Sequence, residues 1–337
     1  MESTVENQPV TDRSWQKVIM KYNHPDLRKS LWQITNTLLP YLGLWYLMIL
    51  SLQVSYWITL LLAIIASGFL IRLFIIFHDC GHGSFFKSKR ANNIVGMAFG
   101  ILSFTPYNKW HNQHFEHHAT TVNLDKRGFG DVWTMTVEEY RNSPKWKRLL
   151  YRGFRNPFLM FTIGPLFMIL LQNRFSKKTM DRKSRLNVYF TNIVVVIIAT
   201  GMSLLIGLKA YLLIQIPVLL ISHVAGLWLF YVQHQFEGVS WNRNINWDYK
   251  TAAIEGSSFL KLPAVLQWFT GNIGFHHLHH LSPRIPNYNL QKCHNENDLF
   301  RTVKPVTLFS TFKALNLSLW DEANRQLVRF RKATATS

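Results

Sequence analysis

Four long apolar stretches, at about residues 35–52, 55–77, 187–207 and 210–233, stand out along the chain. Each is close to the ~20 apolar residues that a helix needs to cross a bilayer. They come as two close pairs, so the pattern predicts two helical hairpins. The second stretch carries Arg72 and the fourth carries Pro217 and His223, groups that neighbouring helices can cover. Two shorter apolar runs, about 94–106 and 157–171, contain or end on Pro165 and Pro106. Both fall short of a straight span, and the pattern predicts interfacial or re-entrant segments there. Residues 1–30 read as a polar segment with no cleavable signal peptide, residues 31–325 as one working domain, and residues 326–337 as a basic tail.

Composition supports a membrane class: of 337 residues, 48% are hydrophobic and they are gathered into blocks. The connection within the first hairpin carries no charge and that within the second carries Lys209, while the remaining segments are strongly basic. By the positive-inside rule, both termini and the large middle segment are expected in the cytoplasm of a multi-pass inner-membrane protein. The net charge of +19 follows those cytoplasmic segments. No nucleic-acid motif accompanies it, so lipid headgroups are the expected partner and nucleic acid is not. The same surface suits an acidic electron carrier. Cys80 and Cys293 are too few for a disulfide framework and are given no ligand role.

Histidines mark the chemistry. His78 with His82, His114 with His117 and His118, and His276 with His279 and His280 are spaced so that residues three and four apart share a helix face. His234 ends the fourth apolar stretch. Each group is expected to offer its imidazoles in one direction, beside the membrane edge. Eight or nine imidazole nitrogens exceed what one ion takes, so two ions are expected. Iron is preferred to zinc, because a redox-inert ion wants three or four ligands and the chain has neither a cysteine set nor His-Glu-x-x-His. His111 and His277 are expected beside the site rather than in it, and His24, His223 and His294 are left unassigned.

The words His78-Asp-Cys-Gly-His82, His114-Phe-Glu-His-His118 and His276-His-Leu-His-His280 resemble the three histidine boxes of the membrane fatty acid desaturase superfamily. Asn123-Leu-Asp-Lys-Arg-Gly128, Gly130-Asp-Val-Trp-Thr134, Tyr231-Val-Gln-His234, Gly271-Asn-Ile-Gly-Phe275 and Leu281-Ser-Pro-Arg-Ile-Pro-Asn-Tyr288 are similar to its bacterial acyl-lipid branch. The likeness runs from about residue 31 to 325. It implies an all-α integral membrane protein, with four transmembrane helices in two hairpins and a cytoplasmic helical cap carrying a histidine-rich di-iron site. It also implies metal ligands at His78, His82, His114, His117, His118, His234, His276, His279 and His280, and an oxygen-dependent desaturase acting on membrane phospholipid acyl chains. Gly81 and Gly83 depart from the bacillus members of that branch, so the double-bond position does not carry over.

Asp79, Glu116, Asp125, Asp131 and Glu237 are placed to orient ligand imidazoles. Phe85, Phe86, Trp110, Trp133 and Trp268 are candidates for an acyl channel. No nucleotide-binding turn, flavin signature, iron–sulfur cysteine set or fused cytochrome b5 pattern is present, so two electrons are expected from an external donor, by resemblance ferredoxin or flavodoxin. Hydroxylation or ketolation by a related di-iron oxygenase is the nearest rival function. A metal transporter or sensor is the rival of another class, although transport would spread ionisable groups through the spans.

Overall fold

The structure, a computed structural model, describes residues 14–128 and 132–334. It is mostly helical. A short helix α1 (Ser14–Met20) precedes α2 (Leu27–Ser51), which Asp26 starts by accepting from the backbone N–H groups of Arg28 and Lys29. α3 (Tyr56–His82) runs back beside α2, then α4 (Lys89–Leu102) and α5 (Tyr107–Thr120) follow. Beyond the two-residue strand β1 (Met135–Thr136) come α6 (Val137–Asn142), α7 (Lys145–Phe154) and α8 (Pro157–Phe167). The second hairpin is α9 (Arg182–Ile206) and α10 (Leu208–His234).

α2, α3, α9 and α10 are the four helices long and apolar enough to cross a membrane. α2 and α9 start, and α3 and α10 end, at the same edge of the bundle, so all polar structure gathers there. α3 is central: half of its most apolar window is buried, against 6% for α9, which turns Ile193, Val196, Ile197 and Leu204 outward. Such an apolar surface fits hydrocarbon and not water. Inside α3, Arg72 is buried; its Nε donates to Thr37 Oγ1 at 3.2 Å, a second nitrogen donates to the Trp268 carbonyl, and the guanidinium lies 4.0 Å over the Trp268 ring.

The two shorter apolar runs behave as their length dictates. α4 has 14 residues, about 21 Å, and packs back on α3. α8 is bent 78° from α7 and widens into a π turn at Met168–Gln172, three residues after Pro165 removes a donor from the ladder.

The cap closes over that edge with α11 (Tyr249–Glu255), β2 (Phe259–Lys261), α12 (Ala264–Phe269), α13 (His276–Leu281), α14 (Asn287–Asn295), α15 (Asp298–Arg301), β3 (Pro305–Thr307), α16 (Leu308–Ala314), β4 (Leu319–Asp321), β5 (Gln326–Val328) and α17 (Phe330–Thr334). β2 pairs with β3 in parallel, and β1, β4 and β5 form a small second sheet. A buried guanidinium holds cap to bundle: Arg155 donates to Tyr231 Oη, Gln235 Oε1 and the Leu317 carbonyl at 3.1, 3.0 and 2.6 Å. α4 meets α3 closely at Gly100, where a Cβ would stand 2.6 Å from the Thr105 carbonyl and 3.0 Å from the Phe77 ring. Gly100→Val is therefore expected to cost about 1–3 kcal/mol, read as a lower unfolding midpoint of the purified protein in detergent.

Candidate metal centre

α3 delivers His78 and His82 from its last turn, α5 delivers His114, His117 and His118, α10 ends on His234, and α13 delivers His276, His279 and His280. Their imidazoles converge into two groups, His78, His82, His114, His118 and His279 in one and His117, His234, His276 and His280 in the other. Within each group the offered nitrogens all lie within 4.8 Å of one another. The histidine words do not act as units, which corrects the expectation of one direction per word. Pairs four apart, His78/His82, His114/His118 and His276/His280, each serve one group. His117 and His279 sit about 100° round the helix from their neighbours and serve the other. The groups share a wall, with the His118 and His280 rings stacked at 4.1 Å.

The nitrogens themselves test whether a metal fits. Nε2 of His114 lies 3.0 Å from that of His78 and 3.1 Å from that of His118, which is 3.0 Å from that of His279. In the second group, Nε2 of His234 lies 3.1 Å from that of His117 and 3.0 Å from that of His276, which is 3.1 Å from that of His280. A ring nitrogen presents one proton or one lone pair in one direction, so atoms facing two such neighbours cannot align both contacts as hydrogen bonds. A cation at the centre satisfies all of them. Imidazole bonds to a metal of about 2.1 Å, set at right angles, put neighbouring nitrogens about 3.0 Å apart. His82 Nε2 is buried with no hydrogen-bond partner, as a ligand atom would be.

Outer contacts set the tautomers. His78 Nδ1 stands 3.2 Å from Asp79 Oδ1, and His234 Nδ1 stands 3.1 Å from the Gly256 carbonyl. Both oxygens only accept, so both Nδ1 atoms donate and both Nε2 lone pairs face inward. Burial first, and neighbouring imidazoles second, hold His114, His118, His276, His279 and His280 well below the ordinary histidine range. They are therefore neutral at pH 7, the form that binds metal. Apolar walls stand close by: the Trp110 ring stacks on His114 at 4.4 Å, and Phe230 lies 5.3 Å from both His117 and His234.

A family model described as "Fatty acid desaturase" matches residues 54–304, which contain all nine of these histidines. The chain belongs to the fatty acid desaturase family. It is 50% identical to a fatty acid desaturase of Bacillus subtilis (strain 168) over 94% of this chain and 90% of the relative. It is also 28% identical to an sn-1 oleoyl-lipid 12-desaturase of Synechocystis sp., and 26% identical to an sn-1 acyl-lipid omega-3 desaturase (ferredoxin) of that organism. Those alignments cover 66% of this chain and 63% and 62% of the two relatives.

Among the carboxylates singled out from this desaturase's sequence, Asp79 alone of the described residues meets a member of the two groups. Its second oxygen accepts from the backbone N–H and Nδ2 of Asn287 at 2.7 and 2.9 Å, and Asn287 Oδ1 accepts from Gln33 Nε2 at 3.0 Å. Asp125 is taken by Arg243 Nη1 and the Asn244 N–H, both at 2.8 Å. Glu116 and Glu237 are exposed, and Asp131 lies outside the described residues. Of the aromatics, Trp133 packs away from the site on Tyr151 and Phe154, Trp268 sits under Arg72, and Phe85 and Phe86 pack on each other. His111 stacks on Tyr107, and His277 is buried between Phe259 and His294, in neither group. Sequence reasoning missed Asn287 and the Gly256 carbonyl; Asn287 stood in the quoted word Leu281–Tyr288, with nothing local to show that it faces Asp79.

Asp79→Asn is expected to lower metal affinity about 10–100-fold with the protein still folded, read as metal per chain by elemental analysis after dialysis. A pH effect follows as well. The folded-state pKa values of His114, His118, His276, His279 and His280 lie below their ordinary 6.5. The neutral rings thus contribute stability above pH ~6.5 that is lost as pH falls below it. Chelator-treated protein is expected to melt progressively lower from pH 6.5 to 5, measured by a thermal unfolding series.

Proposed function

We propose that this desaturase is an oxygen-dependent acyl-lipid enzyme that introduces a double bond into the acyl chain of a membrane phospholipid. The observation that carries the reading is the convergence of five and four imidazole nitrogens at one edge of an apolar four-helix bundle. In this reading residues 31–325 are the working unit, set in the cytoplasmic membrane with both termini and the cap in the cytoplasm.

The reaction removes two hydrogens from neighbouring methylenes: –CH2–CH2– + O2 + 2 e⁻ + 2 H⁺ gives –CH=CH– + 2 H2O. Side-chain acids and bases cannot break an unactivated C–H bond, and a pair of non-haem iron ions, when bound, supplies the redox chemistry that activates dioxygen. His78, His82, His114, His118 and His279 would hold one ion, and His117, His234, His276 and His280 the other. Asp79 and the Gly256 carbonyl keep two of these rings facing inward. Trp110 and Phe230 exclude water from the apolar side, where the acyl chain enters. No cofactor-binding motif for electron delivery is present in the sequence, so the two electrons come from an external carrier. A ferredoxin or flavodoxin fits the strongly basic chain, and one relative carries ferredoxin in its name.

Expression in a bacterium without desaturases, followed by mass spectrometry of its lipids, tests the reaction. The expected product is two mass units lighter than the saturated lipid. A product one oxygen heavier would assign hydroxylation instead. Purified active protein is expected to hold about two irons per chain. His118→Ala is expected to remove activity altogether while membrane insertion persists; retained unsaturation would contradict its role as a ligand.

A further inference from the structure

A groove of about 1180 Å³ lies outside the histidine groups, between the segment joining α1 to α2, the turn from α3 to α4, and one face of α14. It is large enough for a ligand of the size that pockets of about 300–1,000 Å³ enclose. Its position and its lining disagree with a merely solvated crevice. Leu27 and Leu31, on the first two turns of the apolar helix α2, line it and are exposed. Its mouth therefore stands at the level where α2 enters the apolar part of the bundle.

The polar side of the groove is basic. Lys21, Lys29, Lys87 and Lys292 line it, with Asp26 and Glu296 as the carboxylates. Both carboxylates are already engaged: Asp26 caps α2, and Glu296 accepts from Tyr22 Oη at 2.8 Å and faces Lys292 Nζ at 3.8 Å. Lys29 reaches a neutral partner, Asn289 Oδ1, at 3.3 Å. Among the described residues, Lys21 and Lys87 form no ion pair. Three cations without a carboxylate contact thus line a space that Leu27, Leu31, Phe86 and Ala91 line as well. That combination suits a phosphodiester whose tails continue into the bilayer.

The inner wall carries a residue close in sequence to the first histidine group. Phe86 lines the groove and packs on Phe85 at 4.9 Å. Phe86 is four positions after His82, so their Cα atoms lie at most about 14 Å apart. Gly83, with φ +67°, ends α3 and makes this close return possible. We propose that this groove holds the phosphate-bearing head of the phospholipid substrate and thereby sets which lipids present an acyl chain to the site. The inference rests on the acyl-lipid reading above and names its carrier.

The test uses the full chain in nanodiscs, without electron donor, so that binding is read apart from turnover. Retention of a spin-labelled phosphatidylglycerol is compared with that of a diacylglycerol carrying the same chains. The expected result is at least tenfold stronger retention of the phospholipid, reduced about tenfold in Lys21→Glu/Lys87→Glu. Lys177→Glu/Lys178→Glu, the same charge change outside the groove, is expected to leave retention unchanged. Equal retention of both lipids, or an equal loss in both double variants, overturns the proposal. Displacement of the labelled lipid by micromolar coenzyme A overturns the lipid assignment in favour of a soluble thioester carrier. With donor supplied, the apparent KM for phosphatidylglycerol is expected to rise about tenfold in the groove variant, with kcat within twofold. A chain that hydroxylates its lipid would still show the retention pattern, so failure of the desaturation reading is distinguishable.

Discussion

One buried carboxylate carries more of this architecture than any other single group. Asp79 sits in the last turn of α3 between two demands: one oxygen faces His78 Nδ1, and the other takes two N–H donors from Asn287 at the start of α14. A carboxylate this far from water is tolerable only where its lone pairs are filled. Filling them registers the third histidine word against the first. Gln33 of α2 extends the same network through Asn287 Oδ1. The long apolar helices and the cap are therefore aligned by the contact that also orients the His78 ring.

The second alignment is made by backbone. Residues 257–261 run between the end of α10 and α13: Ser258 N–H donates to the Gln233 carbonyl at 2.9 Å, and the Ser258 carbonyl accepts from the His277 N–H at 3.2 Å. This short segment brings His234 opposite His276 and, through Gly256, holds the His234 ring in place. His277, adjacent to His276, is consumed by packing against Phe259 and His294. Two groups with different supports result, one braced by a side-chain carboxyl group and the other by a backbone carbonyl.

Hairpin topology explains why both histidine groups can gather at one edge of the apolar bundle. α3 and α10 both end there, and the helices that precede them turn apolar residues outward. Ionisable side chains are costly inside hydrocarbon, and here most collect at one end; within the long helices Arg72 is covered by α2 and α12, and His223 Nδ1 stands 2.9 Å from the Leu219 carbonyl of its own helix. The fold follows from where polar groups can be satisfied.

Much of this was legible in the sequence, because the signals are periodic and local. Apolar length announced four spans and two hairpins, and spacings of three and four announced which histidines share a helix face. Local pattern failed where the deciding contact is distant. His117 and His118 are neighbours in sequence yet serve different groups, since 100° of helix rotation matters only once other helices stand on both sides. Asp125 and Asp79 looked alike as candidates, and Arg243 took one while His78 took the other. Trp133 looked like a channel residue and packs on Tyr151. The sequence by itself determined the four long apolar helices and which histidines share a helix face, because hydrophobic length and helical spacing are properties of short segments. Only the tertiary structure decided the partition into five and four and the identity of the supporting partners, because those depend on distances between residues more than two hundred positions apart.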